Sequence, residues 1–380
     1  MNRKVLLYSF LSIGLLSSSN MYGQDNASTL LKASKEDANL LLNAYASPIL
    51  KSIGAGLNSG WYQTAKPLGA GGFNLNFNIG VSLIPSADQQ FDVNTLGLKE
   101  LTLVKGQSSS LSPTALGDNK SGPQMELRAE NPLAPGTDTS VLKFNMPSGA
   151  GIHFGPLPLA QLSVGVGFGT EVGIRYIPEI NTGEFKSGLF GFSVKHDFKQ
   201  WIPGIKAAPF DLSAMFGYTS MSGEVAFTGK NSVQAPTDNN IYNANPNKVY
   251  SDQRLEYAGS GWTSNIIISK KLGPFTPYLG IGYQSSTVEA RVKGAYPVVI
   301  NNEFADATNP NHPSFGKPAK IQELQDPFTV KGSLSGFRAN AGFRLKFAVV
   351  TLHADYTLAD YHLFNVGLGI SMQSLVPPKM

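Results

Sequence analysis

The chain has 380 residues, of which 15% are charged, with 40 glycines, no cysteine and a formal net charge of +4; soluble proteins carry roughly a quarter charged residues. The missing cysteines exclude structural disulfides and a lipid-anchored cysteine. The small net charge, with no basic run, argues against a nucleic-acid partner. A mean hydropathy of −0.08 suits a membrane β-barrel, whose alternation averages hydropathy away, and not a helical membrane protein.

Taken in order, residues 1–23 read as a signal peptide: Arg3 and Lys4 precede the short apolar run Val5 to Leu16, with cleavage expected after Gly23. A helical segment follows. Ser34 and Asp37 stand at capping-box spacing, and Ala38, Leu41, Leu42 and Tyr45 recur at helical period. Ser47-Pro48 predicts a restart, since proline suits a first helical turn. Ile49, Ile53 and Leu57 mark one face of the second piece, Gly54, Gly56 and Gly60 thin another, and Trp61 and Tyr62 close it. Such a segment either packs on a soluble core or plugs a barrel.

From Gly71 the period changes to two. Phe73, Leu75, Phe77, Ile79, Val81 and Leu83 alternate with Asn74, Asn76, Asn78, Gly80 and Ser82, one greasy and one wet face of a strand. The same alternation returns over 162–176, 210–218, 275–283, 337–347 and 364–372. Rings bracket the apolar rows Phe210 to Tyr218, Phe275 to Tyr283 and Phe337 to Phe347. At about 3.3 Å per residue and a tilt of about 40°, such rows climb about 20–25 Å, the height of an outer-membrane apolar band between its aromatic girdles. The wet faces carry Gly, Ser and Asn in place of the Lys and Glu of a soluble sheet, so they point into a lumen.

Strands are expected near 71–85, 159–178, 187–199, 209–227, 255–271, 274–292, 333–347, 349–358 and 361–373, counted from a periplasmic N-terminus. At least one more is expected within 86–157, to make the count even. Long polar links near 228–254 and 293–332 would be external, and short ones at 271–274 and around Ala348 periplasmic. The fold class is therefore all-β, a transmembrane antiparallel barrel of about 10–14 strands with an N-terminal helical plug. The expected division is signal peptide 1–23, plug 24–70, barrel 71–373 and tail 374–380, in a bacterial outer membrane.

Asn365, Gly367, Ile370 and Met372 resemble the insertion signal of bacterial outer-membrane proteins. A signal, a Gly-containing helical segment and a long-looped barrel resemble, in architecture, the FadL-type transporters of hydrophobic compounds, whose N-terminal segment plugs the lumen. Tyr45 to Phe77 (YASPILKSIGAGLNSGWYQTAKPLGAGGFNLNF) resembles the opening of an uncharacterised Bacteroidota outer-membrane family, a likeness covering most of the chain.

The inward faces collect Glu171, Arg175, Asp211, Arg338, Arg344, His353 and Asp355. A tight turn after Phe347 would set Arg344 opposite His353 and diagonal to Asp355. Arg344, His353 and Asp355 read either as a catalytic or proton-linked triad or, far more simply, as part of a polar ion-pair network bracing the wall. No G-x-S-x-G, zinc spacing or phosphate loop occurs, so no enzyme activity, cofactor or metal is expected. Glycine strips at Gly165, Gly167, Gly169 and Gly280, Gly282 would let a plug approach the wall. The FadL likeness implies passive transport of a small hydrophobic molecule. Its pocket would lie between plug and wall, with Leu41, Tyr45, Ile53, Trp61 and Tyr62 as contacts that also seat the plug. The alternative is a non-transporting anchor whose loops or rim hold a partner protein. Membrane lipid surrounds the barrel in either case.

Overall fold

The structure is a computed structural model and describes residues 35–130, 138–301, 316–317 and 319–373. The expected signal segment, Ser34 and the tail 374–380 lie outside these residues. Ten strands form one closed antiparallel barrel: β1 (Phe73–Leu83), β2 (Phe154–Gly167), β3 (Thr170–Asn181), β4 (Phe185–Asp197), β5 (Asp211–Ala226), β6 (Arg254–Ser269), β7 (Phe275–Lys293), β8 (Phe328–Phe347), β9 (Val350–Leu358) and β10 (His362–Met372). Each strand pairs with its sequence neighbours, and β1 pairs with β10 to close the ring. The asparagine face of β1 points inward: Asn76 and Asn78 are buried, while Phe77 and Ile79 are exposed. Outside, Leu279, Ile281, Leu368 and Ile370 are exposed likewise. A ladder of rings, Phe192, Phe216, Trp262, Tyr283 and Phe337, crosses β4 to β8 with centroids 5.4–6.3 Å apart. A closed barrel with an apolar outer belt, rings on it and a polar interior is the outer-membrane type, because that belt is stable against lipid and not water.

The tenth strand is not where the even count placed it. The stretch 159–178 is two strands, β2 and β3, turned at Gly167, Phe168 and Gly169, which all have positive φ (91°, 52° and 69°). Val164 faces Val172 across this hairpin, so even residues oppose even residues and the outward parity runs through the turn unbroken. Alternation therefore cannot reveal the turn. Residues 86–157 contribute only the start of β2 to the wall. The rest of the described link forms a two-stranded sheet (Gln90–Asp92 with Leu111–Pro113) and a three-stranded one (Leu101–Leu103, Gln124–Glu130, Asp138–Asn145).

The links 84–153, 227–253 and 294–327 leave one end of the barrel, and the turns 168–169, 270–274 and 348–349 lie at the other. Among the described residues one α-helix, α1 (Lys35–Leu57), begins at the long-link end. There Asn39 and Asn43 accept the Thr329 and Lys331 N–H groups at 3.1 and 2.9 Å, and Asp37 accepts the Lys99, Glu100 and Leu101 N–H groups at 2.8–3.1 Å. The chain then descends through the lumen to Gly69, whose N–H meets the Gln373 carbonyl at 2.8 Å beside the foot of β1. Strand β1 thus starts at the short-turn end, as the periplasmic count requires, but Lys35 stands at the opposite end.

Ser47-Pro48 does not restart the helix; α1 runs through Pro48 unbroken. Proline removes one intrahelical hydrogen bond, and packing on both sides offsets the loss. The nearby Tyr45 carbonyl accepts the Ala115 N–H of the 84–153 link at 2.8 Å, and Leu50 sits over Gly332 of β8. Towards the link, Leu41 packs with Val93, Leu101 and Met125. Towards the wall, Leu50 and Leu57 pack with Leu159, Leu189, Met221, Val288 and Val330. The helix is therefore sandwiched between a folded cap and the barrel interior.

Candidate functional site

Helix α1 has no basic residue in its last turn, although its terminal carbonyls carry the negative end of the helix dipole. The wall supplies the charge. Arg175 of β3 donates from Nη1 to the Leu57 carbonyl at 3.0 Å and from Nη2 to the Ser59 carbonyl at 2.5 Å. Its Nε donates to Gln161 Oε1 at 3.1 Å, and its guanidinium carbon lies 3.5 Å from the centre of the Trp61 ring. Arg338 of β8 donates from Nη1 to the Asn58 carbonyl at 2.8 Å and from Nη2 to Thr357 Oγ1 at 3.2 Å. Strands β3 and β8 are five apart in a ring of ten, so the two guanidiniums grip the helix end from opposite walls.

Below this clamp the chain is irregular, with repeated bends, and held by polar contacts. Trp61 lies against Gly217, where an added Cβ would stand 2.7 Å from the indole. The Tyr62 hydroxyl donates to Asn340 Oδ1 at 2.7 Å, and its ring meets Tyr278 edge-on at 5.9 Å. Ser269 Oγ accepts the Ala65 N–H at 3.0 Å, and Ser213 donates to the Ala65 carbonyl at 2.5 Å. Glu171 pairs with Lys195 at 3.1 Å and accepts the Leu68 N–H at 3.0 Å. Glycines of the expected strips receive this irregular run and not the helix: Gly280 lies under the Tyr62 hydroxyl and Gly165 against Leu68 and Gly69. A small polar cavity of about 10 Å³, lined by Trp61, Lys66, Asn74, Gln161 and Arg344 among others, lies beside the run. That is room for about one water-sized particle.

At the upper rim, Lys51 of α1 pairs with Asp88 at 3.0 Å, and the Tyr361 hydroxyl donates to the same carboxylate at 2.6 Å. Burial, with the Asp88 hydrogen bond and charge adding to it, pushes the Tyr361 phenol far above its ordinary value. Helix, cap and the β9–β10 link meet at this one carboxylate.

The residues expected to form one lumen network fall into separate groups. Arg175 and Arg338 bond the N-terminal segment, not each other's wall. Asp355 accepts from Tyr278 at 3.0 Å and Asn365 at 3.1 Å. His353 does stand opposite Arg344 in the β8–β9 register, but its ring lies over Gly367 and neither ring nitrogen has a partner among the described residues. Asp211 opens β5, half-buried near Lys66, apart from the others. Of the expected pocket contacts, Leu41 faces the cap and not the wall, because the 84–153 link folds over the helix. Tyr45 and Ile53 lie between cap and wall, with the Tyr45 hydroxyl donating to the Ser148 carbonyl at 2.9 Å. Ser213, Ser269, Thr219 and Gln161 were not singled out as candidates; their only sequence mark is inward parity on strands of the barrel.

The chain belongs to the family of unknown function DUF6588, whose model matches residues 1–372. No curated protein matches it. Among solved structures, it is similar to Ail, the attachment invasion locus protein of Yersinia pestis, at 8% identity and TM-score 0.23, covering 80% of this chain and 97% of that one. For the outer membrane protein OprG from Pseudomonas aeruginosa the values are 8% and 0.27, with 82% and 100% covered. For the outer membrane protease OmpT from Escherichia coli they are 7% and 0.28, with 79% and 97% covered. Identities and scores this low carry no activity across, and the barrel is read from its own strand pairing.

Proposed function

We propose that this member of DUF6588 is an outer-membrane barrel closed by its own N-terminal segment, and that it passes a small hydrophobic molecule when that segment shifts, in the manner of FadL-type transporters. In this reading residues 1–23 are a cleaved signal, 24–70 the plug, 71–373 the barrel and 374–380 a tail. The observation that carries it is the two-part interior. A lumen that merely conducted ions would be polar throughout, whereas Leu159, Leu189, Met221, Val288 and Val330 make its long-link half apolar where α1 sits. Once α1 moves, those side chains offer a hydrophobic solute the surface the helix had covered, with Tyr45 and Ile53 as the first contacts on the plug side. Trp61 and Tyr62 seat the lower plug. The proposal includes no catalytic step.

Ser52 of α1 and Ser82 of β1 place their hydroxyl oxygens 2.6 Å apart, and the chain has no cysteine of its own. A double Ser52→Cys, Ser82→Cys variant can therefore lock helix to wall by one disulfide. In vesicles, uptake of a fluorescent fatty acid should stop on oxidation and return on reduction. Equal uptake in both states would sink the shifting plug. Uptake in neither state would favour the second reading, an anchor for a partner protein, which the folded sheets of the 84–153 cap support.

A further inference from the structure

Arg344 of β8 is 93% buried by its 7% exposure, and its Nε and Nη2 have no hydrogen-bond partner among the described residues. An arginine keeps its charge at every accessible pH, and a buried guanidinium left without an acceptor is among the most costly groups a protein can hold. The carboxylates around it are each drawn to other groups. Glu171, the acid that acts on Arg344 electrostatically, is shared by Lys195 and the Leu68 N–H. Asp355 is held by Tyr278 and Asn365, and Asp211 lies beside Lys66. His353, directly across the strand pair, brings no negative charge. Arg344 nonetheless lines the small cavity beside Trp61, together with Asn74 and Lys66, and Trp61 Nε1 is a second buried donor without a partner among the described residues.

We propose that this cavity is a binding site for a single small monovalent anion, of halide size or one carboxylate oxygen, held by Arg344 with the Trp61 N–H as a further donor. Several features fit that class. The cavity walls carry three cations, Lys66, Lys195 and Arg344, against one carboxylate, Glu171. Among the unpartnered groups of its lining, Arg344 Nε and Nη2 and Trp61 Nε1 are donors and Gln63 Oε1 and Asn74 Oδ1 are acceptors, and of these only the guanidinium carries a charge. The volume of about 10 Å³ suits an ion near the size of one water more than one as large as phosphate. None of the apolar residues around α1 named above lines the cavity, so this site stands independently of the transport proposal.

The test is ³⁵Cl line broadening on the refolded full-length protein in detergent micelles. Broadening should saturate with chloride, and bromide should reverse it at matched ionic strength. Formate competing as well would extend the site to carboxylates, whereas competition by bromide alone would restrict it to halides. Arg344→Gln should reduce the broadening at least tenfold while the barrel keeps its folded migration on an unheated gel. Broadening that rises linearly without saturation, or that survives in a folded Arg344→Gln, would overturn the site. Should that variant not fold, the location is read from a Trp201→Phe, Trp262→Phe protein, whose two lost rings face outward. Saturable bromide quenching of the remaining Trp61 supports the assignment, and its absence refutes it.

Discussion

Replacing Arg175 with Met keeps the buried volume but deletes the guanidinium that holds the end of α1. The Leu57 carbonyl retains one donor, Thr219 Oγ1 at 3.0 Å, whereas Gln161 Oε1 loses the Arg175 Nε donor while its Nε2 still donates to the Trp61 carbonyl and Ser163. The Ser59 carbonyl loses the donor that held it at 2.5 Å. Hydrogen bonds to a charged group contribute about 1.5–3 kcal/mol each, and stranding a buried acceptor costs about 1–3 kcal/mol. Against this, removing a buried charge that has no carboxylate partner recovers several kcal/mol of desolvation. Balancing these, we expect plug seating to weaken by about 3 kcal/mol, roughly a hundredfold in the released population. The barrel's own ladder is untouched. Hydrogen–deuterium exchange should therefore show residues 57–64 exchanging about a hundredfold faster, with β4 to β7 unchanged. Exchange that is unaltered at 57–64, or that rises equally in every strand, would refute the clamp.

Other consequences are smaller in scope. Gly332→Ala would set a Cβ 2.7 Å from Leu50 Cβ and 2.9 Å from the Ser47 carbonyl, so it should loosen α1 by about 1–3 kcal/mol. Gly336→Ala on the same strand meets nothing closer than 3.5 Å and should not, as exchange over 44–54 would tell. Leu368→Arg puts a charge on the lipid face in mid-β10 and should cost about 2–4 kcal/mol in vesicle refolding equilibria. At the rim, the Lys293 hydrogen bond, aided by the Gly294 N–H, holds the Asp326 carboxyl below its ordinary value. A depressed carboxyl stabilises the folded state above its unfolded pKa and loses that contribution as pH falls through the folded value. Protease cleavage within 294–327 should therefore rise below about pH 4, and Lys293→Met should raise it already at neutral pH.

The wall was legible because period-two alternation is a local property: β5, β7, β8 and β10 face as their odd and even residues say. What alternation could not carry was the count, since the Phe168 turn preserves parity, and the cap, since short strands over 90–145 pair among themselves and follow no wall. The plug was legible as a helix near the chain start. Its direction was not, because which end Lys35 occupies depends on contacts with residues 99–101 and 329–331, far along the chain. The same reason hid the role of Arg175 and Arg338. Inward charges on separate strands suggest partners in the wall, and nothing local says that both reach the backbone at Leu57 to Ser59. Pro48 misled in the opposite sense, since tertiary packing on two sides overrode its preference for a first turn.

The central claim, that the N-terminal segment closes the barrel, is tested most directly by planar-bilayer conductance of the refolded protein beside a chain lacking residues 25–64. The account predicts a silent full-length protein and a conducting truncated one. Full-length protein that conducts steadily, at the level of the truncated chain, would contradict it.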